Sequence, residues 1–155
     1  MDVWLPEKVE ACRQALVTVD PQRPALAFCD LEVVDANLRP LHPSLWSLQR
    51  TDSRRANDLR WLTVVNIVTG CAAMLNRAAR DLVIDADLNP VHDHAIALHI
   101  VRAGGRLVPV PRPLVRYRQH GANSIGARSF WAGLGAKVTA FCTGWGPRLA
   151  QRSVD

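Results

Sequence analysis

At 155 residues with 48% hydrophobic content, the chain is long enough for one domain with a sizeable core and too apolar for disorder. Its net charge of +5 comes from 17 arginines and only two lysines, Lys8 and Lys137, spread out except for Arg54-Arg55; nucleic-acid binders usually cluster and mix both cations, so no nucleic-acid partner is expected. There is no apolar run of about 18 residues and no secretory-type start, and Cys12, Cys29, Cys71 and Cys142 lack the spacing of a zinc knuckle or disulfide framework, so they read as small buried hydrophobes of a cytoplasmic protein.

Pro6 and Glu7 predict a helix start, with Val9, Cys12 and Leu16 on one face and an end before Asp20-Pro21. The apolar run Ala25 to Asp30, then Leu31 to Asp35, predicts two short strands or a hairpin before the turn Asn37 to Pro40. Asp30 and Asp35 are candidate functional carboxylates, but at strand ends such residues are more often turn formers. Gln49 to Arg60 is polar and reads as a surface loop or exposed helix entrance. Leu59, Leu62, Thr63 and Asn66 follow helical spacing, and Val68 to Leu75 predicts a buried strand handing over to a helix capped by Asn76. Within it, Gly70 either admits a ligand to the backbone or marks a β-bulge.

Arg77 to Val83 predicts a short helix, and Asp85 to Pro90 a loop. A further helix begins at His92 or Asp93, carries Ile96, Ile100 and Ala103 on its apolar face and stops at Gly104-Gly105. Arg106 to Val110 predicts a strand that Pro109, Pro111 and Pro113 continue as an edge or crossover. From Ser129 the chain reads as a helical tail, with Trp131, Phe141 and Trp145 either packed as core, awaiting a partner, or making a peripheral membrane contact. Strands alternating with helices define an α/β class.

Two clusters carry chemistry. Asp93, at a helix start, is kept ionised by unpaired amides and is able to accept a proton; a plain N-cap is the equal alternative. His120, in the polar turn Tyr117 to Asn123, has the chemistry to ligate a metal or bond a phosphate.

Six ordered segments together are similar to family 2 glycosyltransferases, in their rhamnosyltransferase-like branch: Asp2 to Lys8, Phe28-Cys29-Asp30, Val68 to Arg77, His92-Asp93-His94, Ala103 to Leu107, and Tyr117 to Asn123. The resemblance implies the C-terminal part of a GT-A fold over residues 1–128, followed by the tail 129–155. It implies inverting transfer from a nucleotide-diphosphate sugar to a saccharide or lipid-linked saccharide in bacterial surface polysaccharide synthesis, at the inner face of the membrane. Asp93 would be the general base, and Trp4, Gly70, His92, Arg118 and Gln119 would bind substrate. Asp2 and His120 would hold a divalent metal, Mg or Mn. Relatives place an Asp-x-Asp-Asp run before the Trp-Leu-Pro turn. Here only its last member, Asp2, follows Met1, so the N-terminal nucleotide-binding strands are expected in a missing upstream half.

Two other readings remain open. A metal-dependent phosphohydrolase would use His92-Asp93 with His42, His99 or His120 as further ligands, although such enzymes are helical bundles. A non-catalytic remnant or partner-binding module would account for the missing carboxylates.

Overall fold

A computed structural model describes residues 1–84, 86 and 92–119. The sheet is organised on β2 (Ala25–Val34), a strand buried along nearly its whole length. Its sequence alternates two apolar sets. Leu26 and Phe28 join a cluster with Val68, Ala79, Ala97, Ile100 and Leu107, while Cys29, Leu31 and Val33 join one with Val110, Leu114 and Val115. Because successive side chains of a strand point to opposite faces, the two clusters are the two faces of one sheet. Helices cover both. α1 (Lys8–Leu16) packs Ala11 and Ala15 against the second cluster, and α4 (Arg77–Val83) and α5 (His92–Arg102) pack Ala79, Val83, Ala97 and Ile100 into the first. The class is α/β, with a mixed sheet between helical layers.

β5 (Arg106–Arg118) runs parallel to β2 along one edge, from Ala25↔Arg106 to Val34↔Arg118. The opposite edge is shared by two antiparallel partners, β4 (Ala73–Leu75) beside Leu26 to Phe28 and β3 (Pro40–His42) beside Val33 and Val34. β1 (Val3–Trp4) pairs with the far side of β5 at Arg116 and Val115. Two one-turn helices complete the fold, α2 (Leu45–Leu48) and α3 (Leu59–Leu62), capped by Ser44 and Asp58. Among the described residues no helix is long and apolar enough to cross a membrane.

The structure differs from the sequence expectation in four places. The expected pair of strands is one continuous strand, Ala25–Val34. Asp30 does not end it, because its carboxylate turns inward to accept from Ser44 Oγ at 2.5 Å and Trp46 N at 3.1 Å. The first helix buries Lys8 and Cys12, while Val9 is 49% exposed. Helical spacing at Leu59 and Leu62 yields only α3; Asn66 lies in the loop beyond it. The run before Asn76 is a 3-10 turn, Gly70–Ala72, leading into the short, half-buried β4.

Other expectations match. Asp35 is a turn former, accepting from the backbone N–H of Asn37 and Arg39. Asn76 caps α4 through Ala79 N, and its amide also ties Ala25 N and the Arg23 carbonyl, fixing that helix to the start of β2. Gly104 (φ +74°) ends α5 in the left-handed conformation that glycine adopts without strain. The three prolines of β5 fall where its outer edge has no strand partner among the described residues, since β1 reaches only Val115 and Arg116. There the register slips, and Val110 to Val115 stand opposite only Cys29 to Leu31.

Candidate functional site

Asp93 lies in the first turn of α5, yet its carboxylate does not act as a simple cap. Oδ1 accepts from Asn66 Nδ2 at 3.1 Å and from His94 N at 2.7 Å, and Oδ2 accepts from Gly70 N at 3.0 Å. Asn66 is itself oriented, because its Oδ1 accepts from Val68 N at 3.2 Å, which leaves the amide nitrogen facing Asp93. His94 anchors the same turn through Nε2 to the Leu62 carbonyl at 2.6 Å. Three N–H donors converging on one carboxylate fix its direction. Among the described residues Oδ1 has two donors and Oδ2 one.

Gly70 lies beside Oδ2. The residue is exposed, and an added Cβ would sit 3.9 Å from both Asp93 Cβ and Oδ2, an ordinary contact. Neither φ nor a clash demands glycine here. Gly70 is therefore the amide that holds the carboxylate rather than a β-bulge.

A second group surrounds Asp2. Its Oδ1 accepts from the backbone N–H of Arg118 at 3.0 Å, an arrangement enforced by the antiparallel β1–β5 pairing. Burial, and next the charge of Asp2, push the Cys71 thiol up to about 12. Tyr117 is raised by burial first and then by Asp2, Cys71 and Asp93.

Beneath them Lys8 is 1% exposed, its Nζ donating to the Ala73 carbonyl at 3.3 Å and lying 3.8 Å from the ring centroid of Trp4. Trp4 is 53% exposed and covers this ammonium with one face.

The fold brings together some of the residues expected at the site and leaves others apart. Gly70 and Asp93 are in direct contact, and Asp2 and Arg118 are in direct contact. His92 is exposed at the start of α5, and Gln119 N donates to the Val34 carbonyl, extending the β2–β5 pairing by one residue. His120 lies outside the described residues, as does the tail. His42 bonds around Ser44 and His99 bonds the Ala95 carbonyl within its own helix. Among the described residues no three His, Cys, Asp or Glu side chains converge as a metal set, so Asp2 supplies a single carboxylate. Sequence reasoning missed Asn66, Tyr117, Cys71 and Lys8 as members of this neighbourhood. For Asn66 the available signal was a polar amide inside the apolar run Val64 to Val68; for Lys8 there was none, because a lysine at a helix start normally reads as solvated.

Comparison with protein-family models, with curated proteins and with solved structures gave no match to this chain.

Proposed function

We propose that this chain carries the general-base half of an inverting glycosyltransferase of GT-A type, acting on a nucleotide-diphosphate sugar and a hydroxyl acceptor. The observation that supports it most is the Asp93 carboxylate, aimed by Asn66 and Gly70, with a single donor on Oδ2 among the described residues and an exposed glycine beside it. A base for this reaction must stay ionised, hold one orientation and be reachable by an alcohol. In this reading the acceptor hydroxyl donates its proton to Asp93 Oδ2 as its oxygen bonds to the anomeric carbon. The bond from that carbon to the diphosphate breaks on the opposite face, inverting the configuration.

The six segments resembling family 2 glycosyltransferases supply the reaction class. A divalent cation would neutralise charge on the departing diphosphate when bound. Asp2 would contribute one carboxylate to it, alongside His120, and Arg118 would add positive charge nearby. The exposed ring of Trp4 suits the apolar face of a sugar. The acceptor is a saccharide or lipid-linked saccharide of a bacterial surface polymer, met at the cytoplasmic side of the membrane.

The test is transfer, or donor hydrolysis, by the chain, using a panel of nucleotide-diphosphate sugars. Asp93→Asn should reduce kcat by at least about a thousandfold with little change in KM for the donor. Undiminished transfer by that variant would remove Asp93 as the base.

A further inference from the structure

Lys8 and Trp4 form a pairing that the chemistry at Asp93 does not use. Trp4 ends β1, and the next residue, Leu5, donates its N–H to the Leu114 carbonyl at 3.0 Å, which fixes the strand end on β5. The chain then reverses through Pro6 and Glu7, and Lys8 N donates to the Leu5 carbonyl at 3.0 Å. That turn brings Lys8, the first residue of α1, back beneath the ring, with Nζ 3.8 Å from the indole centroid. Lys8 is 1% exposed, and among the described residues its ammonium has one hydrogen-bond acceptor, the Ala73 carbonyl at 3.3 Å. The π face of Trp4 stands where a second acceptor would be, and a desolvated cation holds an aromatic ring more firmly than a solvated one does. Ala73 directly follows the Gly70–Ala72 turn, whose first amide meets Asp93. One buried cation thus ties the exposed ring to the segment that carries the partner of the candidate base.

We propose that Lys8 is a positioning residue for a sugar subsite: its ammonium holds the Trp4 indole as a fixed platform on which the sugar ring of the nucleotide-diphosphate sugar stacks. The proposal rests on the glycosyltransferase reading above. A half-exposed tryptophan at the end of a two-residue edge strand, with no contact behind it, is free to turn about its side-chain torsions. A free ring must be ordered each time a ligand binds, and that ordering is paid out of the affinity. Lys8 fixes one face of the ring in advance, and the exposed remainder suits the apolar face of a sugar. Lys8 itself, buried under the ring, touches no substrate and acts through Trp4. Releasing the ring should cost the sugar about 2- to 10-fold in affinity, the penalty of ordering one side chain, and leave the nucleotide contacts as they are.

Calorimetric binding of a panel of nucleotide-diphosphate sugars, and of the same nucleoside diphosphates without the sugar, tests this on the natural chain and on Lys8→Met. The ratio of the two affinities isolates the sugar. It should fall about 2- to 10-fold in Lys8→Met, with nucleoside-diphosphate affinity unchanged. In a Trp4→Leu background, adding Lys8→Met should change the ratio no further, whereas a structural role of Lys8 independent of the ring would lower it in both backgrounds. The Trp4 indole N–H, assigned by its loss in Trp4→Leu, should have an NMR order parameter of about 0.85 in the natural chain and below about 0.6 in Lys8→Met. A ring equally ordered in the two, or an unchanged ratio with the ring released, would overturn the proposal. Nucleoside-diphosphate binding by the natural chain with no gain from the sugar would overturn the subsite and leave the glycosyltransferase reading standing. Binding of neither ligand would end that reading and the subsite with it, and the order parameters would still report whether Lys8 holds the ring.

Discussion

Asp93 illustrates how a single carboxylate acquires direction. Asn66, Gly70 and His94 all meet it with N–H donors, so an amide in its place must turn an NH2 toward at least one of them or abandon the contact. Asp93→Asn is therefore expected to lower unfolding free energy by about 1–2 kcal/mol, measured by urea denaturation, apart from any effect on transfer. Lys8 presents the opposite case, a fully buried ammonium with one carbonyl and one indole face as partners. Replacing an imperfectly compensated buried charge with an apolar side chain of similar length is often neutral or stabilising. Lys8→Met should remain within about 1 kcal/mol of the natural chain by denaturation, whereas Lys8→Ala, which opens a cavity beneath Trp4, should cost about 2–4 kcal/mol.

Among elements, the short helix α2 depends on a residue far away in sequence. Asp30 accepts from Ser44 Oγ and Trp46 N, and so positions a turn that drives Trp46 against Phe28 with ring centroids 5.3 Å apart. Asp30→Ala leaves a half-buried hydroxyl and a buried amide without that acceptor; a loss of about 2–3 kcal/mol is expected, together with a change in tryptophan fluorescence as Trp46 loosens. The α5–β5 junction depends on Gly105 instead. A Cβ there would lie 2.5 Å from the Pro24 carbonyl oxygen and 2.7 Å from that of Ile100. Backbone atoms on both sides leave nothing to move cheaply. Gly105→Ala should therefore lower the melting temperature by more than about 10 °C, while Gly104→Ala, set in open space but at positive φ, should lower it by only a few degrees.

For the whole molecule, several buried or half-buried acids favour their neutral forms. Cys71 is raised to about 12, and Tyr117 and Cys29 are also raised. Each binds its proton more tightly in the folded than in the unfolded chain, so each leaves stability unaffected below its ordinary value and lowers it as pH rises above. Cys12, lowered from 9.0 to about 7, acts in the opposite sense only between those values. Unfolding free energy should thus hold or rise slightly from about pH 7 to 9 and fall steadily from about 9 to 12. A denaturation series over that range checks the sign, and Cys71→Ala should flatten the alkaline fall. A continued rise above about pH 9 would contradict the assignment of Cys71 as a thiol raised by burial and Asp2.

What is legible in the sequence rests on local rules. The period of the apolar residues places α4 and α5, Asn76 supplies a cap wherever it precedes a helix, Gly104-Gly105 stops α5, and Asp93 at a helix start is a stabilised carboxylate by its position alone. The candidate base and Gly70 accordingly stand out from the residues and from the resemblance. The pairing of Asn66 with Asp93 and of Asp2 with Arg118 depends on which strand lies beside which. Nothing in the spacing of residues so far apart encodes those distances. The same holds for β2: a run with Asp30 in its middle reads as two strands until α2 folds over and supplies that carboxylate with donors. Local propensity, caps and turns are settled by a few neighbouring residues, so the sequence by itself determined the α/β class and most of the helix ends. Burial of Lys8, the inward turn of Asp30 and the shared environment of Tyr117 were decided only by the tertiary structure, because a polar group's surroundings are fixed by elements packed across the sheet.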